Sequence, residues 1–247
     1  MQSIRKVITK QDFRRLGGGA GILAAIAATW LLVGAAVILP AARLSLLAQE
    51  NPHQYLTFAA KHQVIVWMVN VLGGLLSALL TLVLFLALVD RFQEDAPYQS
   101  RTGLAIGVVG SAGFAVGAFL KQIGLGSLVA LYAANKSAAA VAFYAVNGTA
   151  NSFLGLGDLG LGLGILVFGS LMLQAGGNYG HLGFLSSITG MPLILSAFVP
   201  HIILYVITSV LTIAWLAWTG TLLWMEASPR GATRRVSVKE GHLVVRS

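Results

Sequence analysis

Cysteine is absent from this 247-residue chain. Its absence removes disulfides, thiolate nucleophiles, iron–sulfur clusters and cysteine-ligated zinc at once. Charge is scarce as well: 10% of the residues are Asp, Glu, Lys or Arg, against about 25% in soluble domains. Acidic residues number 8 and prolines 6. No Walker loop, HExxH pair or nucleophile elbow occurs, so no motif points to an enzyme. What fills the chain is apolar, with 57% hydrophobic residues, 29 glycines and a mean hydropathy of +0.82. A soluble fold of this length cannot hide so much apolar surface, so the solvent around it is lipid.

A span needs about 20 largely apolar residues to cross about 30 Å of hydrocarbon. Six segments qualify: Leu16–Pro40, Val64–Leu88, Gly103–Gln122, Phe153–Leu173, Leu182–Val199 and Ile202–Met225. The first is too long for a signal-peptide core and has no small-residue cleavage site after it. The expected architecture is therefore an all-α, polytopic transmembrane bundle over residues 16–226. It is flanked by a basic segment at 1–15 and a basic tail at 227–247.

Six spans put both termini on one side, and the charges select the side. With the ends inside, the tails and inner loops hold twelve Lys/Arg: Arg5, Lys6, Lys10, Arg14, Arg15, Arg91, Arg101, Arg230, Arg234, Arg235, Lys239 and Arg246. The outer segments hold three, Arg43, Lys61 and Lys136. The positive-inside rule then predicts cytoplasmic termini in a cell membrane, an inner membrane if the cell has two. The net charge of +8 is concentrated in tails that suit anionic lipid headgroups, not nucleic acid.

Two outer segments are longer than a connection needs. In residues 41–62, Asn51-Pro52 predicts the start of a short second helix. Residues 123–152 are apolar but interrupted by Gly124, Gly126, Asn135, Lys136, Asn147 and Asn151, which predicts an interfacial or re-entrant helix, with a seventh span near 127–145 as the alternative. Ile4, Val7 and Ile8 among basic residues suit an inner amphipathic helix at 1–15. The alternation of Val236, Val238, Leu243 and Val245 around Lys239-Glu240-Gly241 suits a hairpin at 235–246.

Ionisable groups inside spans are the informative ones, since each costs about 2.5–3.5 kcal/mol at mid-bilayer. Two stand out, Lys121 and Asp158. Lys121 shares a helical stripe with Gly103, Gly107, Gly110 and Gly117, and Asp158 shares one with Asn147, Asn151, Gly155 and Gly162. Both lie near the outer ends of the spans as drawn, so an ion pair between them is expected. With Gln122, Asn147 and Asn151 they form a candidate polar site for a solute or a proton. The alternative is a structural clasp with Lys121 snorkelling. The glycines are expected to be close-packing positions. His62 and His201, each heading a span, are candidate ligands for haem or a pigment; otherwise no cofactor and no metal is expected.

Several stretches carry a resemblance. A basic segment leads into Gly19-Ala-Gly-Ile-Leu23, a charge stands late in the third span (Lys121), and Gly157-Asp-Leu-Gly-Leu-Gly162 opens the fourth. Ala214-Trp-Leu-Ala-Trp-Thr-Gly220 lies in the last. This layout resembles a large bacterial family of uncharacterised six-span membrane proteins known only as a domain of unknown function. In that family the third-span charge is usually acidic, and Lys121 departs from it. The resemblance covers most of residues 16–226 and implies fold and topology, not an activity. Three functions follow in order of how little they ask of the residues. They are a non-catalytic component of a membrane assembly, packing on itself or on other subunits; a small-solute or proton-coupled transporter using Lys121 and Asp158; and a cofactor-binding membrane protein using the histidines.

Overall fold

The computed structural model describes residues 10–45, 47–199 and 201–228. Six of its helices are long and apolar enough to cross a membrane, and no strand occurs among the described residues. The protein is a multi-pass membrane helix bundle. In chain order the helices are α1 (Lys10–Ala41), a short α2 (Pro52–Lys61), α3 (Gln63–Phe92), α4 (Pro97–Ala134), α5 (Lys136–Ala175), α6 (Gly177–Phe198) and α7 (Ile202–Glu226). Residues 10–15 run into the first span as one helix with it. The rest of the expected amphipathic segment, and the tail hairpin at 235–246, lie outside the described residues.

Local chemistry sets the helix ends. The Asn51 side chain accepts from the backbone N–H of His53 and Gln54, at 3.0 and 3.2 Å, and starts α2 as Asn51-Pro52 predicts. Asn135 caps α5 by accepting from Ala138 N–H at 3.0 Å. Between α5 and α6 the turn needs positive φ at Gly176 and Gly177, 69° and 55°, which glycine adopts without penalty.

Helix α4 has 38 residues and α5 has 40, so each is on the order of 57–60 Å long. That is roughly twice a hydrocarbon core. The stretch 123–152 is therefore neither an interfacial helix, nor re-entrant, nor a seventh span: both helices run on through it to a tight tip at Asn135. The glycines and amides that look like interruptions are tolerated because the two helices satisfy their own backbones and pack on each other.

Glycine is what brings α4 and α5 together. A Cβ on Gly160 would lie 2.6 Å from Gly110 Cα, and one on Gly113 would lie 2.9 Å from Gly157 N. Gly117 meets Leu154 and the Ala150 carbonyl, while Gly103 rests on Phe168 and Gly107 on Phe85. Elsewhere Gly162 seats against Gly190 and Ile194 of α6, and Gly155 lies loosely near Ala197. In lipid, such close contacts hold helices together through van der Waals packing, since the hydrophobic effect does not drive helix association there.

Two apolar cores result. The larger, inside the membrane bundle, centres on Phe85, Phe168, Trp215 and Leu88; Trp215 is fully buried and donates its indole N–H to Ser186 Oγ at 2.8 Å. The smaller joins α2 to the α4–α5 tip through Leu56, Phe58, Leu125, Leu128, Ala139 and Phe143, and forms a cap at that end. At the opposite end, Arg14 pairs with Asp90 at 2.7 Å, Lys10 with Glu94 at 2.7 Å and Arg91 with Glu226 at 3.1 Å. Gln11 donates to the Ala227 carbonyl at 2.9 Å, so residues 11 and 227 sit at the same end of the bundle.

Candidate functional site

The glycine seam fixes where each buried charge goes. Gly113 stands beside Gly157, and Gly124 beside Val146. In that antiparallel register Lys121 is level with residues near 149, some nine positions from Asp158. At 1.5 Å per residue this is an axial offset of about 13 Å. The expected Lys121–Asp158 ion pair does not form, and neither residue takes part in an ion pair among the described residues. The expectation fails because it ended both helices too early, at Gln122 and Phe153, which makes two different depths look equal.

Lys121 lines a cavity of about 140 Å³ between the membrane bundle and the cap. Its apolar wall includes Leu31, Val69, Phe114 and Leu125, and its polar groups are Gln49, Glu50, Tyr55, Asn70 and Asn147. Asn147 donates to Glu50 Oε2 at 3.2 Å, and Asn70 donates to Gln122 Oε1 at 3.5 Å. Glu50 is occupied by Asn147 at the rim, and its charge reaches Lys121 from beyond ion-pair distance. No hydrogen bond is made by the Lys121 ammonium among the described residues. Tyr55, on α2, is half-buried against the cap core beside Asn70; loss of water around the phenol above all raises it to about 12.

Two π-helical segments frame this cavity, Gly34–Ile38 in α1 and Met68–Leu75 in α3. In each a backbone N–H bonds five residues back, Leu39 to Gly34 and Leu76 to Val71. Pro40 explains the first, since it has no N–H and its ring crowds the preceding turn. The wide turns push Ala35, Val69, Asn70 and Gly74 to the cavity wall. Such insertions recur at functional sites.

Asp158 lines a second chamber of about 70 Å³, to which all six spans contribute. Leu31 and Phe114 border both chambers. Ser196 Oγ lies 3.2 Å from Asp158 Oδ2 but only 2.7 Å from the Leu193 carbonyl. Thr208, Ser209, Thr212 and Tyr205 of α7, with Ser77 and Thr81 of α3, complete the polar wall.

Of the residues expected to meet, Lys121 and Asn147 share the first chamber, and Gln122 joins them through Asn70. Asp158 stands apart, and Asn151 lies exposed on α5. Glu50, Tyr55 and Asn70 go unnoticed in the sequence reading, although Asn70 is an amide inside the apolar run Val64–Leu88. The histidines have separate, local roles. His201 Nδ1 accepts from Ile203 N–H at 3.3 Å and caps α7, His62 stacks on Phe58 with ring centroids 4.7 Å apart, and His53 contacts Tyr132. Neither His62 nor His201 lines either chamber.

Set against protein families, characterised proteins and solved structures, the chain matches none.

Proposed function

We propose that this protein is a carrier in a cell membrane, with both termini cytoplasmic, which binds a small organic anion against Lys121. The observation that carries this reading is a lysine lining a cavity, its ammonium without a hydrogen bond or ion pair among the described residues. A cation placed in a largely apolar wall, with Glu50 too far to touch it, is costly, and a bound anion supplies the missing contact. The accessory-component reading gives Lys121 nothing to do. The chamber's 140 Å³ is close to the roughly 150 Å³ that takes one benzene ring, so the ligand is about the size of a single-ring anion such as benzoate. The twelve-to-three charge bias supports the orientation, and the resemblance to bacterial six-span proteins supports an inner membrane.

Purified protein in nanodiscs tests the reading. Benzoate is expected to raise the melting temperature saturably, as any ligand of the folded state does. Benzylamine, of the same shape and opposite charge, is expected not to, and Lys121→Met should abolish the benzoate effect. Benzenesulfonate, which cannot cross lipid unaided, should enter liposomes holding the wild-type protein and not those holding Lys121→Met. Equal responses to benzoate and benzylamine would overturn the proposal.

A further inference from the structure

We propose that the Asp158 chamber is a binding site for a hard monovalent metal cation, separate from the Lys121 cavity and independent of what that cavity takes. Asp158 faces a chamber built from every span and makes no ion pair among the described residues. The seam holds Lys121 about 13 Å away along the helix axes, and no Lys, Arg or His among the described residues lines the chamber as a counter-charge. Its one hydrogen-bond donor among the described residues, Ser196, has a closer acceptor in the Leu193 carbonyl. The carboxylate is therefore loosely held and available.

A second observation, independent of the charge, points the same way. Thr212 Oγ1 is buried and has no hydrogen-bond partner, and Thr212 lines the chamber with Asp158. A cation held between the carboxylate and hydroxyl oxygens satisfies both. The donor chemistry selects the class. Every polar side chain on the wall offers oxygen, from a carboxylate, Thr208, Ser209 and Thr212 to the Tyr205 phenol, and oxygen donors suit hard cations. One carboxylate balances one positive charge. No group of three His, Cys, Asp or Glu side chains able to hold a metal is found among the described residues, which disfavours a divalent or transition ion.

The test is thermal melting of the whole protein in nanodiscs, with sodium, lithium or potassium chloride titrated against choline chloride at matched ionic strength and fixed pH. At least one alkali cation is expected to raise the melting temperature saturably over choline. Asp158→Asn should abolish that shift. Thr212→Val, which keeps the shape and removes the oxygen, should weaken apparent affinity about tenfold. Lys121→Met should leave the cation response intact, which separates this site from the anion reading. Should Asp158→Asn fail to fold, Thr212→Val alone decides. An equal response to choline and all three alkali cations overturns the proposal, as does an unchanged cation response in Asp158→Asn or, where that variant does not fold, in Thr212→Val. A pH-dependent shift lost in Asp158→Asn, with no cation dependence in the wild type, overturns it in favour of a proton site.

Discussion

Placing one methyl group in the α4–α5 seam tests the packing on which the position of both chambers depends. In Gly110→Ala the new Cβ would lie 2.6 Å from the Gly160 carbonyl carbon, and nearer still to the Leu161 nitrogen. Non-bonded carbons prefer about 3.5–4.0 Å. Both obstacles are backbone, so no rotamer change relieves the clash, and the helices must separate by about 1 Å. A gap of that size forfeits a quarter to a half of each atom pair's attraction along the seam, and overpacking of this kind costs about 1–3 kcal/mol. Gly126→Ala in the same helix is the control. Nothing lies within 4 Å of its Cβ position, so it should gain about 0.5–1 kcal/mol from reduced backbone freedom in the unfolded chain. Reversible denaturation of both variants in one detergent, followed by circular dichroism, gives the comparison. If Gly110→Ala is as stable as wild type, or Gly126→Ala is equally damaged, the helix–helix register deduced from the glycines is wrong.

Three further outcomes are expected. Arg14→Ala removes the guanidinium that holds Asp90 and its carbonyl, at 2.7 and 3.0 Å in a part-buried setting; a loss of about 1.5–3 kcal/mol should appear in the same denaturation assay, whereas Lys10→Ala, which breaks a mostly exposed pair with Glu94, should change little. Trp215→Phe removes the donor to Ser186 and should cost about 1 kcal/mol, while Trp215→Ala opens a cavity in the larger core and should cost about 3–5 kcal/mol. Tyr55 should ionise only near pH 12, because its half-buried, poorly hydrated phenol resists losing its proton. The raised value favours the folded cap below pH 10, and that advantage falls away as pH rises from about 10 to about 12. Spectrophotometric tyrosinate titration of wild type and Tyr55→Phe checks it: the missing step should be the late one, and a missing step near pH 10 would show that Tyr55 is open to water.

The six spans were legible because lipid imposes a single strong rule, that the backbone must satisfy itself over a long apolar stretch. The α2 start was legible from Asn51-Pro52 for the same kind of local reason. The α4–α5 overrun was not. Gly124, Gly126, Asn147 and Asn151 break an apolar pattern in the sequence, yet a paired helix absorbs them, and only the facing residues reveal that. The misplaced ends carried straight into the mistaken Lys121–Asp158 pair. Glu50 and Tyr55 were hidden for a different reason. They come from the connection between the first two spans and reach Lys121 only after α2 folds onto the distant α4–α5 tip. Asn70 was the one missed group with a local signal, a lone amide in a run of Val, Leu and Gly.

The interlocked glycines of α4 and α5 also act as a ruler between the two charged positions. Because the contacts recur once per turn, the helices can slide only in steps near 5.4 Å; intermediate positions would set Cβ atoms against backbone. The distance from ammonium to carboxylate is thus discrete, not continuously adjustable. A molecule spanning both chambers has to match one rung of that ladder, and a sequence change that moved a single glycine by one turn would select another.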